Sequence, residues 1–389
     1  MPPYKILAVF GTRPEAIKMA PVVLELQRHP QDFDCRVAVT AQHREMLDQV
    51  LNLFAIEPDY DLNIMQARQS LEEVTTRALE GLSAVIAREQ PDMVLVHGDT
   101  TTTFVAALAA FYHHKQVGHV EAGLRTGQKY APFPEEMNRR LAGVLADLHF
   151  APTITAKDNL LREGVPEENI YVTGNTVIDA LLATVRPHYS FGDLDLPPAL
   201  FDGHKVILLT AHRRENWGEP MRAIFRALRD LVRSHPEAAV IFPVHKNPLV
   251  RESATAILGG QERIYLLEPL AYEPFVNLMA RSYLVLTDSG GLQEEAPALG
   301  KPVLVLREVT ERPEAVESGT VRLVGTSYKK VYEHVHELLE DEESYRRMAQ
   351  AVNPYGDGLA SRRIYLALRY HFGLEVLRPE EFLAKRKDF

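Results

Sequence analysis

Residues 97–140 have the sequence HGDTTTTFVAALAAFYHHKQVGHVEAGLRTGQKYAPFPEEMNRR, and the rest of the chain repeats the pattern set here. Two short apolar runs, Met93–His97 and Val117–Glu121, predict β-strands at the start and in the middle of this region. The Ala-rich segment Thr101–Tyr112 between them predicts a helix. A strand–helix–strand unit of this length implies that the two strands are parallel. The pattern therefore favours an α/β fold built on a parallel sheet.

Acidic residues follow both predicted strands and open the next helix. Asp99 comes just after the first strand, Glu121 closes the second, and Glu135 follows Pro134 at a helix start. Because ligands of an open parallel sheet bind beyond the carboxyl ends of its strands, we expect these carboxylates to face one crevice. Structural interpretations stay open: Asp99 as an N-cap, Glu135 as a partner of the helix dipole, and Glu121 in an ion pair with Arg125.

The composition is that of a globular protein with a small-molecule ligand. The chain has 389 residues, 46% of them hydrophobic and 25% charged, which is enough for two ordinary domains. A formal net charge of −10 argues against nucleic acid as the main partner. The single cysteine, Cys35, excludes an internal disulfide, and no apolar run approaches a membrane span or a signal peptide. We expect a soluble, cytoplasmic protein.

Strands and helices alternate in two blocks, which predicts two doubly wound α/β domains. The predicted division is residues 1–185 for the N-terminal domain with the acid cluster, 186–203 for a linker, 204–359 for the C-terminal domain, and 360–389 for a helix that crosses back to the first domain plus a tail. The linker is rich in Pro, Gly and Asp. Its Asp193 and Asp195 have a spacing that some sugar-nucleotide enzymes use for a metal, but in a linker we interpret them as solvated charge.

Three strand-to-helix turns carry groups suited to an anion. Arg13 and Lys18 flank the first turn, Gly11–Glu15, where a helix N-terminus can meet a phosphate. His212, after another predicted strand, is placed to contact a phosphate or to act as an acid, although a structural histidine is the alternative.

The third turn, Thr287–Glu295, has the sequence TDSGGLQEE. Its two glycines allow close backbone approach to a phosphate, and Glu295 could accept hydrogen bonds from ribose hydroxyls. A plain tight turn is the alternative. No G-x-G-x-x-G follows a strand and no P-loop is present, so neither a tightly held nicotinamide nor ATP-type phosphate transfer is expected. We therefore predict no cofactor.

Taken together, the turns resemble those of the non-hydrolysing UDP-N-acetylglucosamine 2-epimerases of bacteria. The matching segments, in family order and covering most of the chain, are FGTRPEAIKMAP, TAQHREMLDQV, VHGDTTTT, GHVEAGLRT, PEEMNRR, TGNTVIDAL, TAHRREN, TDSGGLQEEAP and TERPEA. The resemblance implies two Rossmann-like domains facing across a cleft in the glycosyltransferase B-type arrangement, and a homodimer. It also implies reversible conversion of UDP-N-acetylglucosamine to UDP-N-acetylmannosamine without metal or nicotinamide, in polysaccharide biosynthesis.

The resemblance also assigns residues. It implies catalytic roles for Asp99, Glu121, Glu135 and His212, leaving open which carboxylate is the acid and which the base. The positions that bind the UDP sugar in the family correspond to Arg13, Lys18, Phe275, Ser289, Gly290, Gly291, Glu295 and Arg312. A second UDP-N-acetylglucosamine activates bacterial members, and the matching positions are Gln42, Arg68, Glu135, Arg213 and His245. Glu45 departs from the family pattern, because some relatives carry glutamine there, and its negative charge is expected to weaken that contact.

The predicted chemistry follows from the substrate. The C2 hydrogen of the sugar is not next to a carbonyl, so simple deprotonation is unfavourable. Without a dinucleotide fingerprint, the route that fits is loss of UDP to give an unsaturated 2-acetamido sugar, followed by re-addition with the C2 face reversed. A diphosphate beside three ionised acids would be repelled, so at least one acid is expected to hold a proton at neutral pH. The alternatives are a hydrolysing epimerase, a B-type UDP-sugar glycosyltransferase and, more remotely, a non-catalytic UDP-sugar sensor.

Overall fold

The computed structural model describes residues 3–41, 44–66, 69–197 and 199–384, with the backbone alone at residues 44 and 45. The chain divides into two compact units. The first comprises the chain up to Leu182 together with Tyr355–Leu383, and the second is built on Ala183–Pro354, which includes the segment 186–203.

Each unit is built on one parallel sheet. The strands are β1 Tyr4–Phe10, β2 Phe33–Val39, β3 Tyr60–Asp61, β4 Met93–His97, β5 Gln116–Val120, β6 Leu148–Ala151, β7 Ile170–Val172, β8 Lys205–Thr210, β9 Ala238–Pro243, β10 Ile264–Leu267, β11 Leu284–Thr287, β12 Val303–Val305 and β13 Val321–Leu323. The first unit orders its strands β3-β2-β1-β4-β5-β6-β7, and the second orders them β10-β9-β8-β11-β12-β13. All pairs are parallel.

Helices connect most of the strands. They are α1 Arg13–Gln27, α2 Arg44–Leu53, α3 Leu71–Glu89, α4 Thr101–Tyr112, α5 Glu135–Leu145, α6 Ile154–Arg162, α7 Thr176–Thr184, α8 Leu200–Gly203, α9 Glu219–Ser234, α10 Pro248–Leu258, α11 Tyr272–Arg281, α12 Leu292–Ala298, α13 Pro313–Glu317, α14 Tyr328–Glu340, α15 Glu342–Ala349 and α16 Ala360–His371. Short 3-10 helices cover Glu167–Asn169 and Arg214–Asn216. The predicted fold class, α/β with two Rossmann-like doubly wound sheets, is confirmed.

The burial of the strands explains why they are continuous apolar runs rather than alternating ones. All five residues of β4 are buried, as are the last five of β1, because a parallel sheet is covered by helices on both faces. Leu82 of α3 and Ala106 of α4 pack into the core of the first unit. In the second unit Phe225 of α9 and Val335 of α14 do the same. The core of each unit therefore lies between its sheet and the helices that cover it.

The last helix, α16, is anchored in the first unit. Asp179 of α7 accepts hydrogen bonds from the backbone N–H of Ala360, at 3.1 Å, and of Ser361, at 2.8 Å. Burial raises the pKa of Asp179, although Ser361 and these amide donors oppose that shift. The ring of Tyr365 stacks on His29 of the loop after α1, with centroids 4.3 Å apart. The chain thus returns to the unit in which it began.

Two further sequence-based expectations concern the exterior. Within the described residues, no helix is both long and apolar enough to cross a membrane. Asp193 and Asp195 are exposed and lie outside helices and strands, as expected for solvated charge.

Candidate functional site

In both units some of the predicted site residues follow strands at the point where the strand order changes direction. In the first unit β1 lies between β2 and β4, and in the second β8 lies between β9 and β11. Helices leave opposite faces of the sheet on the two sides of such a point, so the strand ends there are open to a ligand. The sequence places Arg13 after β1, Asp99 after β4, His212 after β8 and Ser289 after β11.

One buried acid fixes the turns after β1 and β4 together. Oε2 of Glu15 accepts from the backbone N–H of Gly11 at 3.1 Å and of Thr12 at 2.8 Å. Its Oε1 accepts from the hydroxyl of Thr100 at 2.6 Å. A Cβ atom on Gly11 would come within 2.0 Å of Oγ1 of Thr40, so only glycine fits. This network sets the position of the first turn of α1, which begins at Arg13.

Glu121 is held between two basic side chains. Nζ of Lys18 donates to its Oε2 at 2.5 Å, and Nε2 of His97 lies 2.9 Å from the same oxygen, although poorly aligned as a hydrogen bond. The Glu121 side chain is only 8% exposed. Burial alone would raise the pKa of Glu121, but Lys18 and His97 outweigh it and hold the pKa well below its usual range. Glu121 is therefore an ionised carboxylate in a buried setting.

The backbone at Glu121 is in the left-handed region, with φ of 61°. A non-glycine residue there costs of the order of 1–3 kcal/mol and persists only where its surroundings impose it. The suggested ion pair between Glu121 and Arg125 is wrong, because Arg125 pairs with Glu163 at 2.7 Å. The backbone therefore aims Glu121 at Lys18 and His97 instead.

Asp99 is held by two residues of α5. Its carboxylate pairs with the guanidinium of Arg139, and its backbone carbonyl accepts from Nδ2 of Asn138 at 3.0 Å. The suggestion that Asp99 is merely an N-cap is wrong, because the hydroxyl of Thr100 caps α4 by accepting from the N–H of Thr103. The Asp99 side chain is 30% exposed, so it can reach a ligand.

Glu135 and Glu136 open α5 but differ in their surroundings. Glu136 is fully buried and accepts from the backbone N–H groups of Thr126, at 3.1 Å, and Gly127, at 3.2 Å. Glu136 therefore anchors the loop before α5. Glu135 has a buried oxygen, Oε2, for which the described part of the chain offers no hydrogen-bond partner. Buried polar atoms are nearly always paired, so this oxygen is suited to a ligand's donor rather than to the fold.

In the second unit a buried aspartate organises the turn after β8. Oδ2 of Asp288 accepts from the backbone N–H of His212 at 2.8 Å and of Arg213 at 2.9 Å. Its Oδ1 lies 2.9 Å from Nδ1 of His212. Burial would raise the pKa of Asp288, but His212 and the two amide donors keep it below its usual value. The His212 side chain is 42% exposed and is held by a buried carboxylate, which is the arrangement of an oriented acid–base histidine.

Two of the positions assigned to the activator adjoin His212. The ring of His245 stacks on that of His212 with centroids 5.8 Å apart, and Arg213 is its sequence neighbour. Burial and the neighbouring His212 lower the pKa of His245. Gln42 and Arg68 lie outside the described residues, and of Glu45 only the backbone, in α2, is described.

The Ser289–Gly291 turn lies beside an arginine that is fixed by an ion pair. A Cβ atom on Gly290 would lie 3.7 Å from the guanidinium carbon of Arg312. Nε of Arg312 donates to Oε1 of the buried Glu294 at 2.7 Å. The structure thus brings the glycine turn and Arg312 together.

Glu295 and Phe275 lie on the elements beside this turn. Oε2 of Glu295 accepts from the hydroxyl of Tyr272, at the start of α11, at 3.3 Å. Phe275 is half-buried on the same helix. The residues predicted to bind the nucleotide in the second unit therefore occupy neighbouring elements.

Several residues that form the site were not predicted from the sequence. They are Glu15, His97, Arg139, Asp288 and Glu294. Each lies inside a recognised segment, and His97 and Asp288 stand at or just after the end of a strand, which is the signal that selected Asp99 and Glu121. In the described residues, no three His, Asp or Glu side chains of this site approach closely enough to share a metal ion.

Comparison with known proteins agrees with these features. A family model described as UDP-N-acetylglucosamine 2-epimerase matches residues 24–369. The chain is 57% identical over 381 residues to UDP-N-acetylglucosamine 2-epimerase of Bacillus subtilis, covering 98% of this chain and 99% of that relative. It is 55% identical over 378 residues to the enzyme of the same name from Escherichia coli K12, covering 94% and 98% of the two chains.

A solved structure gives the same result in three dimensions. UDP-GlcNAc 2-epimerase from Neisseria meningitidis, bound to UDP-GlcNAc, superposes with a TM-score of 0.83 at 52% identity, covering 94% of this chain and 99% of that one. Matches of this extent exceed what a shared fold alone would give. The chain belongs to the UDP-N-acetylglucosamine 2-epimerase family, as its ordered motifs predict.

Proposed function

We propose that this protein interconverts UDP-N-acetylglucosamine and UDP-N-acetylmannosamine by eliminating and re-adding UDP at the sugar. The observation that carries the proposal is Glu121, a buried carboxylate kept ionised by Lys18 and His97 at the switch point of the first sheet. The Neisseria meningitidis relative, which holds UDP-GlcNAc, supports the choice of substrate.

The proposed reaction has two balanced halves. A base takes the C2 proton while the bond between C1 and the phosphate oxygen breaks with its electron pair, which gives UDP and a sugar with a C1–C2 double bond. UDP then re-forms the bond to C1, and an acid delivers a proton to the opposite face of C2. General acid–base catalysis of this kind typically contributes about 10²–10⁴-fold to the rate.

The contacts suggest how roles divide among the acids. Glu121 is ionised, so it is available to accept a proton, and Lys18, which donates to it, is placed to supply one. Glu121 is therefore not the acid that was expected to hold a proton at neutral pH. Asp99, whose side chain is partly exposed, and Glu135, whose buried Oε2 has no hydrogen-bond partner among the described residues, are the other acids proposed to contact the sugar.

The remaining residues are proposed to hold the nucleotide. The hydroxyl of Ser289, the backbone N–H groups of Gly290 and Gly291 and the guanidinium of Arg312 would bind the diphosphate, because such donors stabilise charge on a leaving group. Arg13 and Lys18 are the positively charged residues of the first unit that are proposed to bind the UDP sugar. In the second unit Glu295 would accept from ribose hydroxyls, and Phe275 would pack against uracil. Proton transfer to the departing diphosphate is proposed for His212, which Asp288 orients.

Product analysis tests this function. The purified protein is incubated with UDP-N-acetylglucosamine alone, and the mixture is followed by NMR and anion-exchange chromatography. The proposal predicts an equilibrium mixture of the two UDP sugars. Accumulation of free N-acetylmannosamine with UDP would instead identify a hydrolysing enzyme, and an unchanged substrate would identify a sensor or a transferase lacking its acceptor.

We further propose that a second UDP-N-acetylglucosamine activates the enzyme. The stacking of His245 on His212 supports this, because a ligand bound at His245 and Arg213 would act on the proposed acid directly. A sigmoidal dependence of rate on substrate concentration is expected. A simple hyperbola, measured down to concentrations well below half-saturation, would contradict it.

A homodimer is also proposed, through the outer faces of α4 and α5. Exposed apolar side chains cluster there, including Phe111 and Tyr112 near the end of α4 and Val144 on α5, which is 84% exposed. Exposed patches of this kind commonly mark protein–protein contacts. Light scattering should give twice the chain mass for the native protein and a lower mass for Val144→Glu, whereas a monomeric native protein would contradict the proposal.

A further inference from the structure

Two histidines and a glutamate meet on the second unit, on residues not assigned to the epimerase site. His235 follows the last residue of α9, and His336 and Glu340 lie one turn apart on α14, so they share a helix face. One ligand atom from each of the three lies within 4.8 Å of the other two. His235 is buried, while His336 and Glu340 are exposed. The cluster is therefore both positioned by the fold and accessible to a solute.

The contacts of His235 decide which of its nitrogens carries the proton. Nδ1 lies 3.2 Å from Oε1 of Glu237 and 3.2 Å from Oε1 of Glu340. Because a carboxylate only accepts, Nδ1 is the protonated nitrogen of the neutral ring. Nε2 then presents its lone pair toward Nδ1 of His336, 3.0 Å away. A histidine whose one nitrogen is fixed by a carboxylate and whose other nitrogen is bare has the arrangement of a metal ligand.

We propose that this cluster binds a divalent transition-metal ion of the zinc class through Nε2 of His235, Nδ1 of His336 and the carboxylate of Glu340. Imidazole nitrogen with carboxylate oxygen suits Zn²⁺, which takes four ligands at about 2.0–2.2 Å. Two ligands at such distances are about 3.3 Å apart in a tetrahedron. The observed 3.0 Å between the two nitrogens is close to that separation. In the proposed bound state Glu237 alone accepts from Nδ1 of His235, because the exposed carboxylate of Glu340 turns from Nδ1 to the ion, and water completes the coordination.

The local charges favour a cation. Within the described residues, the ion pairs of Glu237 and Glu340 are both with His235. The nearby Arg263 guanidinium donates to backbone carbonyls, including that of His235 at 2.7 Å, and Nζ of Lys205 donates to the carbonyl of Leu339 at 2.6 Å. Neither base neutralises the two carboxylates by direct pairing. A dication would balance them and would tie the end of α9 to α14.

Zinc titration of the full-length, tag-free protein tests the site. The protein is stripped with a chelator, and ZnCl₂ binding is followed by competition with a fluorescent zinc indicator and by the shift of the unfolding temperature. His336→Ala and Glu340→Ala change exposed side chains and should fold. His334→Ala is the matched control, since His334 lies on the same helix but contacts Arg322 instead.

The expected result is one zinc ion bound by the native protein and by His334→Ala, with a raised unfolding temperature in both. His336→Ala and Glu340→Ala should bind one ion fewer and lose the zinc-dependent rise in that temperature. Glu237→Gln should weaken zinc affinity by about 10–100-fold, as expected for a group that orients a ligand. Equal zinc stoichiometry in all variants, or none in the native protein, would overturn the proposal. Epimerase activity is not the readout, so the outcome is independent of the proposed reaction.

Discussion

At the scale of single residues, the site depends on side chains that position other side chains. His212 is held by Asp288, and Glu121 by Lys18 and His97. The acids themselves could be found from the sequence because each follows a strand. Their partners could not be paired with them, because Lys18 and Glu121 are 103 positions apart and only the sheet brings them together.

Asp288→Asn should damage catalysis more than binding. The amide would no longer stabilise a protonated His212, so kcat should fall by at least about tenfold with little change in KM, as for other carboxylate–histidine pairs. Initial rates across substrate concentrations measure the two constants. The same substitution at exposed Asp193 is the control. A variant whose kcat is unchanged would contradict the orienting role of Asp288.

Lys18→Met should change the pH dependence of the rate. In the native protein Lys18 helps to lower the pKa of Glu121, so Glu121 stays ionised until the solution is strongly acidic. Without that charge the pKa rises, and the acid limb of kcat/KM should move to higher pH. Lys18→Arg keeps the charge and should leave the limb nearer its native position. The idea fails if Lys18→Met and the native protein lose activity at the same pH.

At the scale of helices and strands, the sequence predicts an element well where its apolar run is long or where a capping motif marks its start. β4 and α4 occupy the predicted residues, and α3 follows a capping box in which Ser70 and Glu73 exchange hydrogen bonds. β3 was not predicted, because it has two residues and exists only through pairing with β2. The local sequence pattern therefore predicts the long elements, whereas a short strand such as β3 depends on pairing with its neighbour in the sheet.

A substitution in the turn between β1 and α1 tests how closely that turn packs against neighbouring side chains. Gly11→Ala would put a methyl group 2.0 Å from Oγ1 of Thr40 and 2.6 Å from Oγ1 of Thr102. Such overpacking should reduce the free energy of unfolding by about 1–3 kcal/mol, measured by denaturant titration, and should lower activity. Gly203→Ala, where a new Cβ meets nothing within 4 Å, is the matched control. Equal stability of the two variants would show that the turn is looser than described.

At the scale of the whole molecule, the first unit buries two histidines whose charged form its core disfavours. His119 and His149 are adjacent in the register of β5 and β6 and are buried. Burial lowers the pKa of His119 to about 3 and that of His149 to about 4. Both are therefore neutral in the folded protein at a pH where the unfolded chain already binds protons.

This predicts a loss of stability between pH 6.5 and pH 5. The unfolded chain binds more protons there, so the free energy of unfolding falls as the pH falls, by up to about 1.4 kcal/mol per pH unit for each histidine. Denaturant titrations at pH 7, 6 and 5 measure the slope. His149→Gln should flatten it, whatever its effect at pH 7. A stability that rises on acidification would contradict the neutral, buried histidines.

Fold class and family could be predicted from the sequence because the motifs occur in family order at strand ends. That order can be read without knowing which residues are in contact. The acid–base partners and the His235 cluster could not, since they join residues from separate elements. Asp288 shows the limit well: it stood inside the recognised TDSGG segment, yet its role follows only from the 2.9 Å contact with His212.

The most direct test of the central claim is NMR of UDP-N-acetylglucosamine with the protein in deuterated water. The account predicts that deuterium replaces hydrogen at C2 as the mannosamine isomer accumulates, and that Glu121→Gln loses this exchange together with the isomerisation, by about 10²-fold or more. Isomerisation with the original C2 hydrogen retained in the product would contradict it.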